Sequence, residues 1–122
     1  MKSNLLVFIL LLVGITSYSQ ADTAKNSKSY FVIVVTIGEK FEKGKPVLKQ
    51  DIADHGEYMK QLYAEGSLVM AGPFTDNDGA LIVLYVDSEE KARTIMNNDP
   101  AVKKKIFSET LHKWQVFFNA LQ

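Results

Sequence analysis

Residues 67–86 read SLVMAGPFTDNDGALIVLYV, and this stretch decides the fold. Ser67–Phe74 and Ala80–Val86 are two apolar, β-prone runs. Asp76-Asn77-Asp78-Gly79 between them is a strong turn signal. The pair therefore reads as a β-hairpin, with Gly72-Pro73 interrupting its first arm as a bend or bulge. Working outward, Asp51–Glu65 before it reads as a helix that ends at Gly66, with Met59, Leu62 and Tyr63 as its apolar stripe and Asp51 or Asp54 as its cap. A second helix follows, with a capping box at Asp87 and Glu90, apolar positions Ala92, Ile95 and Met96, and Pro100 at its end. Tyr30–Ile37 (YFVIVVTI) supplies the first strand, and Leu111–Phe118 (LHKWQVFF) the last.

The order is strand, helix, strand, strand, helix, strand. This βαββαβ pattern is the ferredoxin-like α+β arrangement, with a four-stranded antiparallel sheet and two helices on one face. On the last strand, His112, Trp114, Val116 and Phe118 share one face by the period of two. The strands carry apolar residues on both faces, so the face without helices needs a partner. A two-fold homodimer, sheet against sheet, supplies one. Gly38–Gln50, with Lys40, Lys43, Lys45 and Lys49, reads as a solvated loop; Lys103, Lys104 and Lys105 read as a solvated basic run.

The chain has 122 residues, enough for one domain. Its start reads as a secretory signal peptide over residues 1–19: Lys2, an apolar run from Leu5 to Val13, then Ser17-Tyr18-Ser19. Cleavage before Gln20 leaves a flexible leader over 20–29 and a domain over 30–118, facing the periplasm or exterior with no membrane attachment. The mature chain has 13 basic against 14 acidic residues, a formal charge of −1, which gives no basic surplus for nucleic acid. With no cysteine, thiol catalysis and thiolate metal sites are excluded. No carboxylate stands at a recognised ligand spacing from either histidine, so no metal is expected. Phosphate-binding glycine loops and dinucleotide fingerprints are missing, and no cofactor is expected.

Two residues stand out chemically. His55 lies in the first turn of the first helix, where the helix dipole favours a neutral ring able to act as a base. A core histidine bonded to a backbone carbonyl is the bland alternative. Asp99, before Pro100, reads as a helix terminator from its sequence position alone. The set formed by His55, Gly66, Ala71-Gly72-Pro73, the Asp78-Gly79 turn and Asp99-Pro100 resembles the YCII-related (YciI-like) domain family, in the dimeric α+β barrel superfamily that includes muconolactone-isomerase-like enzymes. The resemblance runs from about Tyr30 to Phe118. It implies a histidine–aspartate site, carried here by His55 as base and Asp99 as its orienter. Gly72, Pro73, Phe74 and Tyr58 are the candidate ligand contacts. The implied activity is cofactor-free proton transfer, of isomerase or lyase type, on a small cyclic organic molecule. A non-catalytic ligand-binding or sensing protein on the same fold is the alternative. The Gly38–Gln50 loop looks longer than in compact members, and an exported location is less usual for the family.

Overall fold

The computed structural model describes residues 27–120. The signal peptide read over 1–19, and the leader as far as residue 26, lie outside the described residues. Four strands and three helices follow: β1 (Ser29–Ile37), α1 (Ala53–Ala64), β2 (Leu68–Pro73), β3 (Ala80–Val86), α2 (Glu89–Asn97), α3 (Pro100–Lys103) and β4 (Phe107–Trp114). The sheet is antiparallel in the order β2-β3-β1-β4, which is the ferredoxin-like arrangement.

Alternation along the strands divides the sheet cleanly. Phe31, Ile33 and Val35 of β1, with Ile82, Leu84 and Val86 of β3, face the helices and are buried. They meet Leu62 of α1, Ala92 and Ile95 of α2 and Ala101 of α3 in one core. Tyr30, Val32, Leu81, Val83 and Trp114 border a cavity of about 660 Å³ on the opposite face. Trp114 remains 47% exposed there.

Several expectations need correction. The last strand runs over Phe107–Trp114, four residues earlier than the apolar run 111–118 suggests, so Val116 and Phe118 are not strand residues. Its inward positions Phe107, Glu109 and Leu111 pair with Ile37, Val35 and Ile33 of β1, and a polar residue at the central one disguises the alternation. Pro100 does not simply end a helix: it opens α3, a third helix, as its first residue. The start of α1 has no side-chain cap, the capping position being Ile52, and Tyr63 points outward at 67% exposure. The 38–50 segment is a folded loop, with Phe41 and Gln50 buried and a 3₁₀ turn over Val47–Lys49.

Gln50 holds that loop together. Its side chain accepts from the Glu42 amide (3.0 Å) and donates to the carbonyls of Glu42 (3.0 Å) and Lys45 (2.9 Å). The base of the loop is equally fixed. Gly38 donates to the Ile106 carbonyl at 2.8 Å, and Lys40 to the Lys105 carbonyl at 2.9 Å. A Cβ on Gly38 would stand 2.3 Å from that Lys105 oxygen, so only glycine fits. Lys104 and Lys105 are not a free basic run: Lys104 pairs with Asp51 and Asp54, and Lys105 with Glu39.

Candidate active site

The core positions two side chains that the sequence separates by 44 residues. Asp99 sits between two helices. Its amide closes the end of α2 on the Met96 carbonyl at 3.2 Å. Its extended backbone (φ −60°, ψ 121°), enforced by Pro100, makes it the cap of α3, where Oδ1 accepts from the Ala101 amide at 2.9 Å. The side chain is therefore aimed by backbone rather than by rotamer choice. His55 comes from the first turn of α1. The Lys104 ion pairs to Asp51 and Asp54 join that turn to the end of α3.

The two meet through Nδ1 of His55, which lies 2.9 Å from Oδ1 and 2.8 Å from Oδ2 of Asp99. Asp99 is 1% exposed. Its burial disfavours the charge, but hydrogen bonding and the charge of His55, with the Ala101 amide, outweigh that and hold its carboxyl below the usual range. An ionised Asp99 accepts the Nδ1 proton, which leaves Nε2 with its lone pair. The imidazole also packs edge-on against Phe107, with ring centres 5.4 Å apart and planes at 83°.

His55 forms part of the wall of a cavity of about 460 Å³ between α1, the 38–50 loop and the end of the β2–β3 hairpin. Apart from His55 and Gln50 the wall is apolar: Val35, Val47, Met59, Ala71, Pro73 and Phe107 are among it. A cavity of this size, apolar with few polar groups, has the dimensions of a small-molecule site.

Gly72 and Pro73 border this cavity, but Phe74 and Tyr58 do not. Gly72 stands opposite Leu81 in the sheet, so its position points toward the open face, and it is Ala71, opposite Ile82, that turns toward the helices. Phe74 lies beyond β2 and packs near Gly79 of the turn. The Tyr58 hydroxyl donates to the Ile95 carbonyl at 3.0 Å, a link between α1 and α2. Burial, then the negative charges of Asp99, Glu65 and Glu109, raise its pKa.

Glu109 escaped the sequence reading. It lies on β4 beside Asp99, and both of its oxygens are buried. Burial first, then the charge of Asp99, pushes its carboxyl up to about 9. The signal was a charged residue on the inward phase of Phe107-Ser108-Glu109-Thr110-Leu111, legible only once the strand start is placed at Phe107. Among the described residues, no group of three His, Cys, Asp or Glu side chains is arranged to hold a metal ion.

A ferredoxin-like sheet with a buried carboxylate hydrogen-bonded to a histidine at the wall of an apolar cavity defines a class of small α+β proteins. Residues 29–113 match the family model of the YCII-related domain, and the chain belongs to that family. It is 35% identical over 68 residues to the uncharacterised protein YjpA of Bacillus subtilis (strain 168), covering 56% of this chain and 80% of that one. In fold it is similar to the 5-chloro-2-hydroxyhydroquinone dehydrochlorinase of Burkholderia phenoliruptrix AC1100, solved with 2,5-dihydroxybenzoquinone. The TM-score is 0.51 at 20% identity, over 70% of this chain and 93% of that one.

Proposed function

We propose that the protein catalyses cofactor-free proton transfer on a small cyclic organic molecule, as an isomerase or a lyase. The observation that carries this is the Asp99–His55 pair at the wall of an apolar cavity. With Nδ1–H held by Asp99, Nε2 takes a proton from an acidic C–H or O–H of the ring. The electron pair left behind forms a new double bond, C=C within the ring after C–H removal or C=O on the ring after O–H removal, and the displaced electrons move on through the ring. They either expel a leaving group as an anion, or shift so that another ring atom recovers the proton from the imidazolium. In the first case the products are the unsaturated ring and HX, the proton leaving by way of His55. Asp99 balances the imidazolium charge in surroundings where water would otherwise do so. The dehydrochlorinase of similar fold acts by loss of HCl from a hydroxylated ring, which supports the lyase form.

The test is a set of hydroxylated and halogenated ring compounds incubated with enzyme in D₂O. Solvent deuterium entering the ring, or halide release, with loss of both in His55→Ala, is the expected result. Saturable binding without exchange or release would overturn the catalytic reading in favour of a ligand-binding or sensing protein.

We further propose that two copies pair through the open sheet face, since Tyr30, Val32, Val83 and Trp114 present an apolar surface there. We also propose export, supported by the Lys2, Leu5–Val13 and Ser17–Ser19 pattern. N-terminal sequencing of the protein from fractionated cells tests it, with Gln20 as the expected first residue.

A further inference from the structure

Proton transfer by His55 and Asp99 makes no use of Glu109, yet burying a carboxyl group is costly. Glu109 projects from β4 on the helix side of the sheet, opposite Val35 of β1. Its two oxygens are out of water, and no hydrogen-bond donor meets them. The titratable groups acting on it or near it are Asp99, at the start of α3, and His55 and Tyr58, both from α1. From β1 the facing residues are Ile33, Val35 and Ile37, all uncharged.

A proton on Glu109 resolves the conflict. It turns one of its oxygens into a donor, and the acceptor within reach is Asp99. We infer that Glu109 is a positioning residue: as the neutral acid it donates a hydrogen bond to Asp99 and thereby sets how firmly Asp99 holds the His55 proton. This deepens the proposed function, and rests on the reading of His55 and Asp99 as base and orienter.

The reasoning is electrostatic. Asp99 already receives the Ala101 amide and the imidazole. Each further donor spreads its single negative charge and leaves less for the ring. A second ionised carboxylate beside it would do the opposite, trapping His55 as imidazolium and removing the base. A neutral Glu109 keeps the cluster at one negative charge before proton abstraction and at zero after it. The high acid range of Glu109 fits this assignment.

The test needs no substrate. The His55 ring nitrogens of the purified protein are followed by ¹⁵N NMR across pH in wild type, Glu109→Gln and Glu109→Leu. Glu109→Gln keeps a neutral donor and is expected to titrate as wild type does. Glu109→Leu removes the donor and is expected to move the ring's titration midpoint upward by about one pH unit. Equal midpoints in Glu109→Leu and wild type would overturn the inference. Should Glu109→Leu not fold, the ¹³C carboxyl shift of Glu109 in wild type decides: a neutral acid at pH 7 supports the inference, and a carboxylate overturns it. Asp99→Asn, run in parallel, separates the two readings. If it leaves the His55 tautomer unchanged, the base-and-orienter reading fails. If it flips the tautomer while Glu109→Leu does nothing, only the role of Glu109 fails.

Discussion

Nδ1 of His55 reaches both oxygens of Asp99, at 2.9 and 2.8 Å, and Asp99 reaches His55 only because the backbone leaves α2 and enters α3 at that residue. The orienting carboxylate is thus also a helix cap, and the two duties respond differently to substitution.

Asp99→Asn should separate them. The asparagine oxygen still accepts from the Ala101 amide, so α3 stays capped. Its amide nitrogen, facing Nδ1, donates where the carboxylate accepted, and moves the imidazole proton to Nε2. The base is then blocked. Activity on a ring substrate should fall about 10²–10⁴-fold with a small change in unfolding midpoint. Steady-state kinetics and calorimetry check both halves.

His55→Ala, by contrast, should reduce stability as well as activity. It leaves the Asp99 charge buried without its ring partner. Removing one partner of a buried pair costs about 3–5 kcal/mol, reduced here because the Ala101 amide remains. Thermal unfolding of this variant alone does not separate a core role from a catalytic one, and His55→Gln with kinetic readout is the better comparison.

Stability should depend on pH in a way set by the two carboxyls. Glu109 has a folded value of about 9 against 4.5 for the free side chain, so the folded state holds the proton more tightly. Its contribution is complete below about 4.5 and is lost as pH rises toward 9, at roughly 1 kcal/mol per pH unit. Asp99 acts oppositely: its lowered value stabilises the fold above 3.8 and fades as pH falls below that. Denaturant midpoints should therefore peak near pH 4–5, and Glu109→Gln should flatten the alkaline decline. An unchanged slope in Glu109→Gln would show that another group causes it.

The cavity should be closable from one wall. Ala71 faces it from β2, opposite Ile82. Ala71→Phe should fill the space and weaken ring-ligand binding at least about tenfold, since exclusion of a ligand of this size costs more than 1.4 kcal/mol. The unfolding midpoint should hold within a few degrees. Isothermal titration and calorimetry make the comparison.

Trp114→Asp on the open face should shift a sheet-to-sheet dimer toward monomer, read by light scattering across concentration. An unchanged mass at all concentrations would remove the proposed interface.

Most of the architecture was legible in the sequence because hydrophobic period and turn chemistry coincide there. The Asp76–Gly79 turn and the apolar arms around it leave little choice but a hairpin. What failed to show is where tertiary context overrides local signal. β4 hides because Glu109 occupies an inward position, and α1 starts without a side-chain cap because docking, rather than capping, holds it. His55 and Asp99 could be singled out by residue type and family resemblance. Their contact, across 44 residues, depends on how α1 packs against α3 and is not a local property. Tyr58 and Phe74, candidate ligand contacts by sequence, do not line the cavity, because side-chain direction is set by packing: Tyr58 reaches the Ile95 carbonyl and Phe74 the turn at Gly79.

The joint at Gly38 has an evolutionary corollary. Strand β1 ends against the Lys105–Ile106 backbone so closely that a methyl group would collide with it, and Gln50 pins the far end of the loop. Between those two fixed points lies a stretch that roofs the cavity but carries neither His55, Asp99 nor Glu109. Relatives are free to lengthen, shorten or recolour that roof while the His55–Asp99 pair below stays in register. The loop that roofs the cavity and the His55–Asp99 pair are thus held on separate parts of one small chain, and can diverge at different rates.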